Sequence, residues 1–184
     1  MSKHRRSITL VLGGARSGKS RLAQKLAAGS VRVAYLATAR MSDSEMKRKI
    51  LRHRAERPSL WETIEVESDL AKTIRNAGRK MDLLLVECMT TYVGAMIGIK
   101  GTGRNVVEKE IERVRDAIRA TSASVIVVSN EVGNGVVPPF PSGRLFQDVL
   151  GHANQQIAAI ADTVILMVAG IPVGIKGRIS FPRK

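Results

Sequence analysis

Residues 13–20 read Gly13-Gly14-Ala15-Arg16-Ser17-Gly18-Lys19-Ser20 and directly follow the apolar run Ile8-Thr9-Leu10-Val11-Leu12. This is the G-x-x-x-x-G-K-[ST] phosphate-binding loop in the setting it requires. A strand delivers the chain, and the glycines let it curl so that backbone N–H groups face an anion. The helix that follows, starting Arg21-Leu22-Ala23-Gln24, turns its positive dipole end toward that anion. Lys19 has the reach for the β/γ-phosphates of a nucleotide, and the Ser20 hydroxyl suits Mg²⁺. A dinucleotide fingerprint fits worse, because Gly13-Gly14-x-x-x-Gly18 lacks the G-x-G-x-x-G spacing.

A loop of this kind belongs to an α/β fold, and the rest of the chain alternates accordingly. Apolar runs predict strands at 8–12, 31–37, 82–86, 124–128 and 163–168, with helices at 19–28, 43–56, 105–120 and 144–161. The middle runs, Leu83-Leu84-Leu85-Val86 and Val125-Ile126-Val127-Val128, are nearly continuous, as parallel strands covered on both faces require. The expected architecture is three-layered, with ligands at the carboxyl edge of a mostly parallel sheet. Residues 171–177 are expected to return antiparallel to 163–168. Segments 98–104 and 133–143 read as mobile loops, and the tail from Gly177 as disordered.

Length predicts one domain over residues 1–184. The lone cysteine, Cys88, rules out an internal disulfide and suits a reducing cytoplasm. No apolar run approaches the ~20 residues of a membrane span. The formal charge of +14 is concentrated: residues 1–60 hold 15 Lys and Arg against 3 Asp and Glu, whereas the remainder holds 15 against 13. The basic excess therefore surrounds the phosphate loop and the segment after it. A nucleic acid or a small polyanion would each account for it. One Trp, two Tyr and three Phe leave little for stacking bases, which favours the small molecule over nucleic acid.

Three further places carry candidate chemistry. Glu87 ends a strand beside the loop, where such folds hold Mg²⁺ or its water shell; a solvated strand-end carboxylate is the plainer alternative. Ser129-Asn130-Glu131 ends another strand at the same edge and serves either substrate contact or turn formation. In the segment 43–56, Ser42-x-x-Glu45 forms a capping box, and Met46, Ile50 and His53 share a helical face. Lys49 lies one turn before His53 and Arg57 one turn after. Two cations disfavour the imidazolium and leave a more nucleophilic ring. Spacing alone leaves open whether His53 acts or merely sits on a basic surface helix.

The carrying stretches are the phosphate loop, Tyr35-Leu36-Ala37-Thr38-Ala39, and Asp43-x-Glu45-Met46-x-x-Lys49-Ile50-x-x-His53-x-x-x-Arg57-Pro58-x-x-Trp61-x-Thr63-x-Glu65. They continue with Leu84-Leu85-Val86-Glu87-Cys88-Met89-Thr90-Thr91 and Ser129-Asn130-Glu131-Val132-Gly133-x-Gly135-Val136-Val137-Pro138. From Ile8 to Gly177 the chain resembles the bifunctional adenosylcobinamide kinase / adenosylcobinamide-phosphate guanylyltransferase family of cobalamin biosynthesis. Lys49 stands where that family often has arginine, and Pro139-Phe140-Pro141 is unusual for it. The resemblance implies a P-loop (RecA-like) domain with Mg²⁺ as cofactor. It also implies ATP and GTP as substrates and a corrinoid acceptor. His53 would carry a GMP. Residues 13–20, Thr38, Ala39, Arg40, Arg54, Ala55, Glu56, Arg57, Glu65 and Glu87 would contact nucleotide, with Ser20 and Glu87 at the metal. It implies a homotrimer as well. A plain small-molecule kinase with a bystander His53 and a polynucleotide-stimulated ATPase are the other readings.

Overall fold

A computed structural model describes residues 6–39, 58–98, 102–179 and 181. The first strand, β1 (Ile8–Gly13), runs into the phosphate loop, and α1 (Lys19–Ala27) leaves it. Then come β2 (Val33–Ala37), β3 (Glu62–Glu65), α2 (Leu70–Ala77), β4 (Leu83–Glu87), α3 (Met89–Ile97) and α4 (Arg104–Ala120). The chain continues through β5 (Ser124–Val128), α5 (Pro141–Ile160), β6 (Thr163–Val168) and β7 (Ile171–Lys176). The seven strands form one sheet in the order β3-β2-β4-β5-β1-β6-β7. Every pairing is parallel except β6 with β7.

Side-chain alternation explains the three layers. Leu84 and Val86 of β4 face α2, α3, α4 and α5, together with Leu10, Leu36, Val125 and Val127. Leu83 and Leu85 point the other way, joining Val11, Tyr35, Ile126 and Val128 under Leu22, Ala23 and Ala27 of α1. Both faces of the central strands are thus covered, which is why their sequences read as unbroken apolar runs. The antiparallel return of β7 is as expected. Its two-residue turn holds Ala169 and Gly170 at φ 50° and 85°. Positive φ at both central positions is what a tight hairpin that follows the strand twist demands.

Several boundaries differ from the sequence reading. The second strand begins at Val33, because Val31 is exposed and Arg32 pairs with Asp82 at 2.7 Å. Helix α4 already includes Arg104, and α5 starts at Pro141, so the ends of both segments read as mobile are helical. The segment before α5 is tied down at Val132, Pro138 and Pro139, whose carbonyls accept hydrogen bonds from α5. Three elements escaped the reading. Strand β3 is mostly polar because it is an exposed edge. Helix α2 is eight residues long, and α3 is apolar nearly all round. The expected helix 43–56 and the end of the tail lie outside the described residues.

Candidate active site at the carboxyl edge of the sheet

Parallel strands point their carboxyl ends the same way, so β1, β2, β4 and β5 deliver Gly13, Thr38, Glu87 and Ser129 to one edge. The phosphate loop closes over that edge with Gly13 at φ 148°, Arg16 at 57° and Gly18 at 94°. A side chain at Gly13 would put its Cβ 2.6 Å from the Met167 carbonyl oxygen and 2.7 Å from Ser17 Oγ. Only glycine fits there. Gly18 precedes α1 without any side-chain cap, and the first turn of α1 holds no acid. The positive end of the helix is left to an anion.

Lys19 is buried, and its Nζ donates to the Gly14 carbonyl at 2.6 Å, folding the side chain back over the loop. The ammonium therefore already sits inside the ring of backbone that would hold phosphate. Ser20 Oγ donates to Glu87 Oε1 at 2.6 Å. Two residues 67 apart in sequence thus meet as a hydroxyl–carboxylate pair at the mouth of the loop. Hard oxygens of this kind suit Mg²⁺, which is usually held by one or two protein oxygens, with waters and phosphates completing its octahedron. Among the described residues no group of three His, Cys, Asp or Glu forms an all-protein metal cage. The oxygen donors of Ser20 and Glu87 fit Mg²⁺.

The neighbouring strand ends lock this arrangement. The peptide bond from Glu87 to Cys88 is cis. Thr38 is buried, with its N–H on the Glu87 carbonyl at 3.1 Å and its hydroxyl on the Cys88 carbonyl at 2.7 Å and Thr91 Oγ1 at 2.6 Å. Its polar groups thus hold β2 to the start of α3. Ala39 follows at the edge, half-buried, and Glu65 is exposed at the end of β3, paired in register with Ala37. Ser129 is fully buried, with its N–H on the Val11 carbonyl, and the Glu131 N–H reaches the Gly13 carbonyl at 3.1 Å. Asn130 donates its N–H to Thr90 Oγ1 at 2.8 Å.

The structure thus brings residues 13–20, Thr38, Ala39, Glu65, Glu87 and Ser129-Asn130-Glu131 to one edge. His53, Arg40, Arg54, Ala55, Glu56 and Arg57 lie outside the described residues. Sequence reasoning missed the floor of the loop. Gly170 donates its N–H to the Ser17 carbonyl at 3.1 Å, and Met167 underlies Gly13. The signal was the Ala169-Gly170 turn, which brings the hairpin back to the edge.

A family model described as cobinamide kinase / cobinamide phosphate guanyltransferase matches residues 9–175. The chain belongs to this family. The bifunctional adenosylcobalamin biosynthesis protein CobP of Pseudomonas aeruginosa is 41% identical over 169 residues, covering 91% of this chain and 96% of its own. The proteins named CobU from Escherichia coli and Salmonella typhimurium are each 39% identical, covering 91% of this chain and 98% of their own. A structure from Pyrococcus horikoshii superposes with a TM-score of 0.57 at 7% identity, covering 96% of this chain and 92% of its own. That likeness shows the α/β fold and nothing beyond it. The family match runs from the second residue of β1 to the penultimate residue of β7, so it takes in every strand that builds the site.

Proposed function

We propose that this chain performs both reactions in its family's description. It phosphorylates the aminopropanol hydroxyl of adenosylcobinamide with a nucleoside triphosphate. It then moves GMP from GTP, through His53, onto the resulting phosphate, giving adenosylcobinamide-GDP. The observation that carries this reading is the Lys19–Ser20–Glu87 cluster at the sheet edge, within a chain that belongs to this family.

The phosphate loop binds the triphosphate in both steps. Its N–H groups and the α1 dipole take the phosphate oxygens, and Lys19 leaves the Gly14 carbonyl for the β/γ-phosphates. Ser20 and Glu87 would hold Mg²⁺, which would supply charge neutralisation on the phosphates. ATP and GTP both satisfy the donor role. In guanylyl transfer a neutral His53 nitrogen bonds to the α-phosphorus as the bond to the β-phosphate oxygen breaks, and pyrophosphate leaves. The corrinoid phosphate oxygen then bonds to the same phosphorus, the P–N bond breaks, and His53 is restored. Arg54 to Arg57 and the Thr38–Arg40 segment flank the nucleotide in this reading, with Glu65 at its border. The reading further includes a single domain, a cytoplasmic location and a homotrimer. The exposed apolar side chains Ile171, Val173 and Ile175 on β7 support the homotrimer part of this reading.

The test is incubation with α-labelled and γ-labelled GTP, followed by denaturation. Label from the α-phosphate is expected to stay on the protein in base and be lost in acid, as a phosphorus–imidazole bond requires. Label from the γ-phosphate is expected to leave with pyrophosphate. The variant His53→Ala is expected to lose the adduct and GMP transfer while keeping phosphorylation of the cobinamide hydroxyl. Persistence of α-label on that variant would move the nucleophile elsewhere. No adduct on the unmodified protein would leave a plain kinase.

A further inference from the structure

Between β5 and α5 the chain makes an arm, residues 132–140, that does two things loops seldom combine. It is anchored at both ends by hydrogen bonds, and it exposes large apolar side chains. At its root, the Asn154 amide donates to the Asn130 carbonyl at 3.0 Å, and Gln147 Nε2 donates to the Val132 carbonyl at 2.8 Å. Gly133 donates its N–H to Glu131 Oε1 at 2.8 Å. At its far end, Arg144 Nη1 donates to the Pro138 and Pro139 carbonyls at 3.0 and 2.8 Å. Pro138 lies so close to Gly143 that a Cβ there would come within 2.7 Å of it. Yet Val136 is 94% exposed, Val137 68% and Phe140 71%.

We infer that this arm is the platform on which the corrinoid ring of the acceptor rests. The inference builds on the two-reaction reading above, and three observations carry it. The first is continuity with the phosphate site, since the Glu131 N–H bonds to Gly13 itself. Val136 follows five residues later and lies at most about 18 Å from that anchor. An acceptor whose hydroxyl reaches the phosphate must place its ring a side arm's length away. The second is charge. The chain is 25% charged with a net charge of +14, yet Val132-Gly133-Asn134-Gly135-Val136-Val137-Pro138-Pro139-Phe140 carries no charged residue. Such a strip does not recruit phosphate or nucleic acid. It suits the methyl-bearing, apolar carbon face of a macrocycle. The third is preorganisation: an arm whose backbone is anchored at both ends loses less freedom on binding, so more of its contact area is retained as affinity.

The test replaces all three side chains, Val136→Ser, Val137→Ser and Phe140→Ser, in the full-length protein. The KM for adenosylcobinamide in the kinase reaction is expected to rise at least about tenfold, the effect of losing roughly one buried aromatic side chain. The KM for the triphosphate and the yield of His–GMP adduct formed without corrinoid are expected to stay within about twofold, since neither involves the arm. The same background with Phe140→Leu in place of the serine is expected to recover part of the lost affinity. An unchanged corrinoid KM would overturn the platform while leaving the two reactions standing. Failure of the unsubstituted protein to phosphorylate corrinoid would instead overturn the reading beneath it. Dissociation of an oligomer by the triple substitution, seen by sedimentation, would assign the arm to contact with a second copy of the chain and overturn the inference.

Discussion

At the mouth of the phosphate loop two short contacts decide what each side chain does. Lys19 is held by the Gly14 carbonyl, so its charge is in place before substrate arrives. Lys19→Ala removes the cation from both reactions. Phosphoryl transfer and histidine guanylylation are each expected to fall about 10²–10³-fold, measured in separate half-reaction assays. Normal rates in either would remove Lys19 from that step. The Ser20–Glu87 contact gives a different signature. Glu87→Gln keeps the shape but loses the charge, so the Mg²⁺ concentration for half-maximal rate is expected to rise about 10- to 100-fold. An unchanged Mg²⁺ titration would leave Glu87 as a structural partner of Ser20. Tyr92 shows the contrasting case of a polar group with a structural role. Burial, with Glu110 beside it, pushes its hydroxyl above the usual phenol range, and that hydroxyl donates to Glu110 at 2.8 Å.

Helix α2 illustrates what local sequence can and cannot announce. Asp69 caps it through the Lys72 N–H at 2.7 Å and pairs with Arg113 of α4 at 2.8 Å. Partial burial pushes the Asp69 carboxyl up, but the Lys72 N–H and the Arg113 guanidinium outweigh it and hold the group below its ordinary 3.8. A depressed carboxylate contributes stability above its unfolded pKa and loses it as pH falls through the folded one. Asp69→Ala is thus expected to cost about 1 kcal/mol at neutral pH. The deficit should shrink below about pH 4, followed by urea unfolding across pH. A deficit independent of pH would assign the cost to packing alone. The cap and the spacing Leu70, Ala71, Ile74, Ala77 were readable in the sequence, but eight residues make a weak periodic signal. Strands β1, β4 and β5 were legible because burial on both faces makes them apolar nearly throughout, with Thr9, Ser124 and Glu87 as their only polar side chains. Strand β3 was not, since Glu62, Thr63 and Glu65 are exposed and its pairing depends on β2, distant in sequence. At the site, Lys19, Ser20 and Glu87 were legible from motif and strand end. The contributions of Met167, Gly170 and Asn154 were not, because each depends on where the sheet order brings its element.

For the molecule as a whole, the site is one rigid edge assembled from four strands and a hairpin turn, so occupying it should stiffen everything attached. A triphosphate with Mg²⁺ at about 100 times its Kd contributes about 2.7 kcal/mol to the folded state. In a domain of this size that corresponds to a rise in Tm of about 5–10 °C. Lys19→Ala at the same ligand concentration should show little of it, and scanning calorimetry with and without ligand checks both. An equal rise in the variant would place the stabilising ligand elsewhere. The strand order also bears on synthesis. Strand β1 emerges from the ribosome before the other six, yet its neighbours, β5 and β6, are the fifth and sixth of the seven. At 5–20 residues per second, the apolar run Ile8–Leu12 waits roughly 8–30 s for Thr163–Val168 to appear. Throughout that interval the nascent chain carries a finished phosphate-loop sequence with nothing beneath it. Competence to bind nucleotide is gained only once β6 has emerged, and the growing polypeptide is a client for whatever shields sticky segments in the meantime.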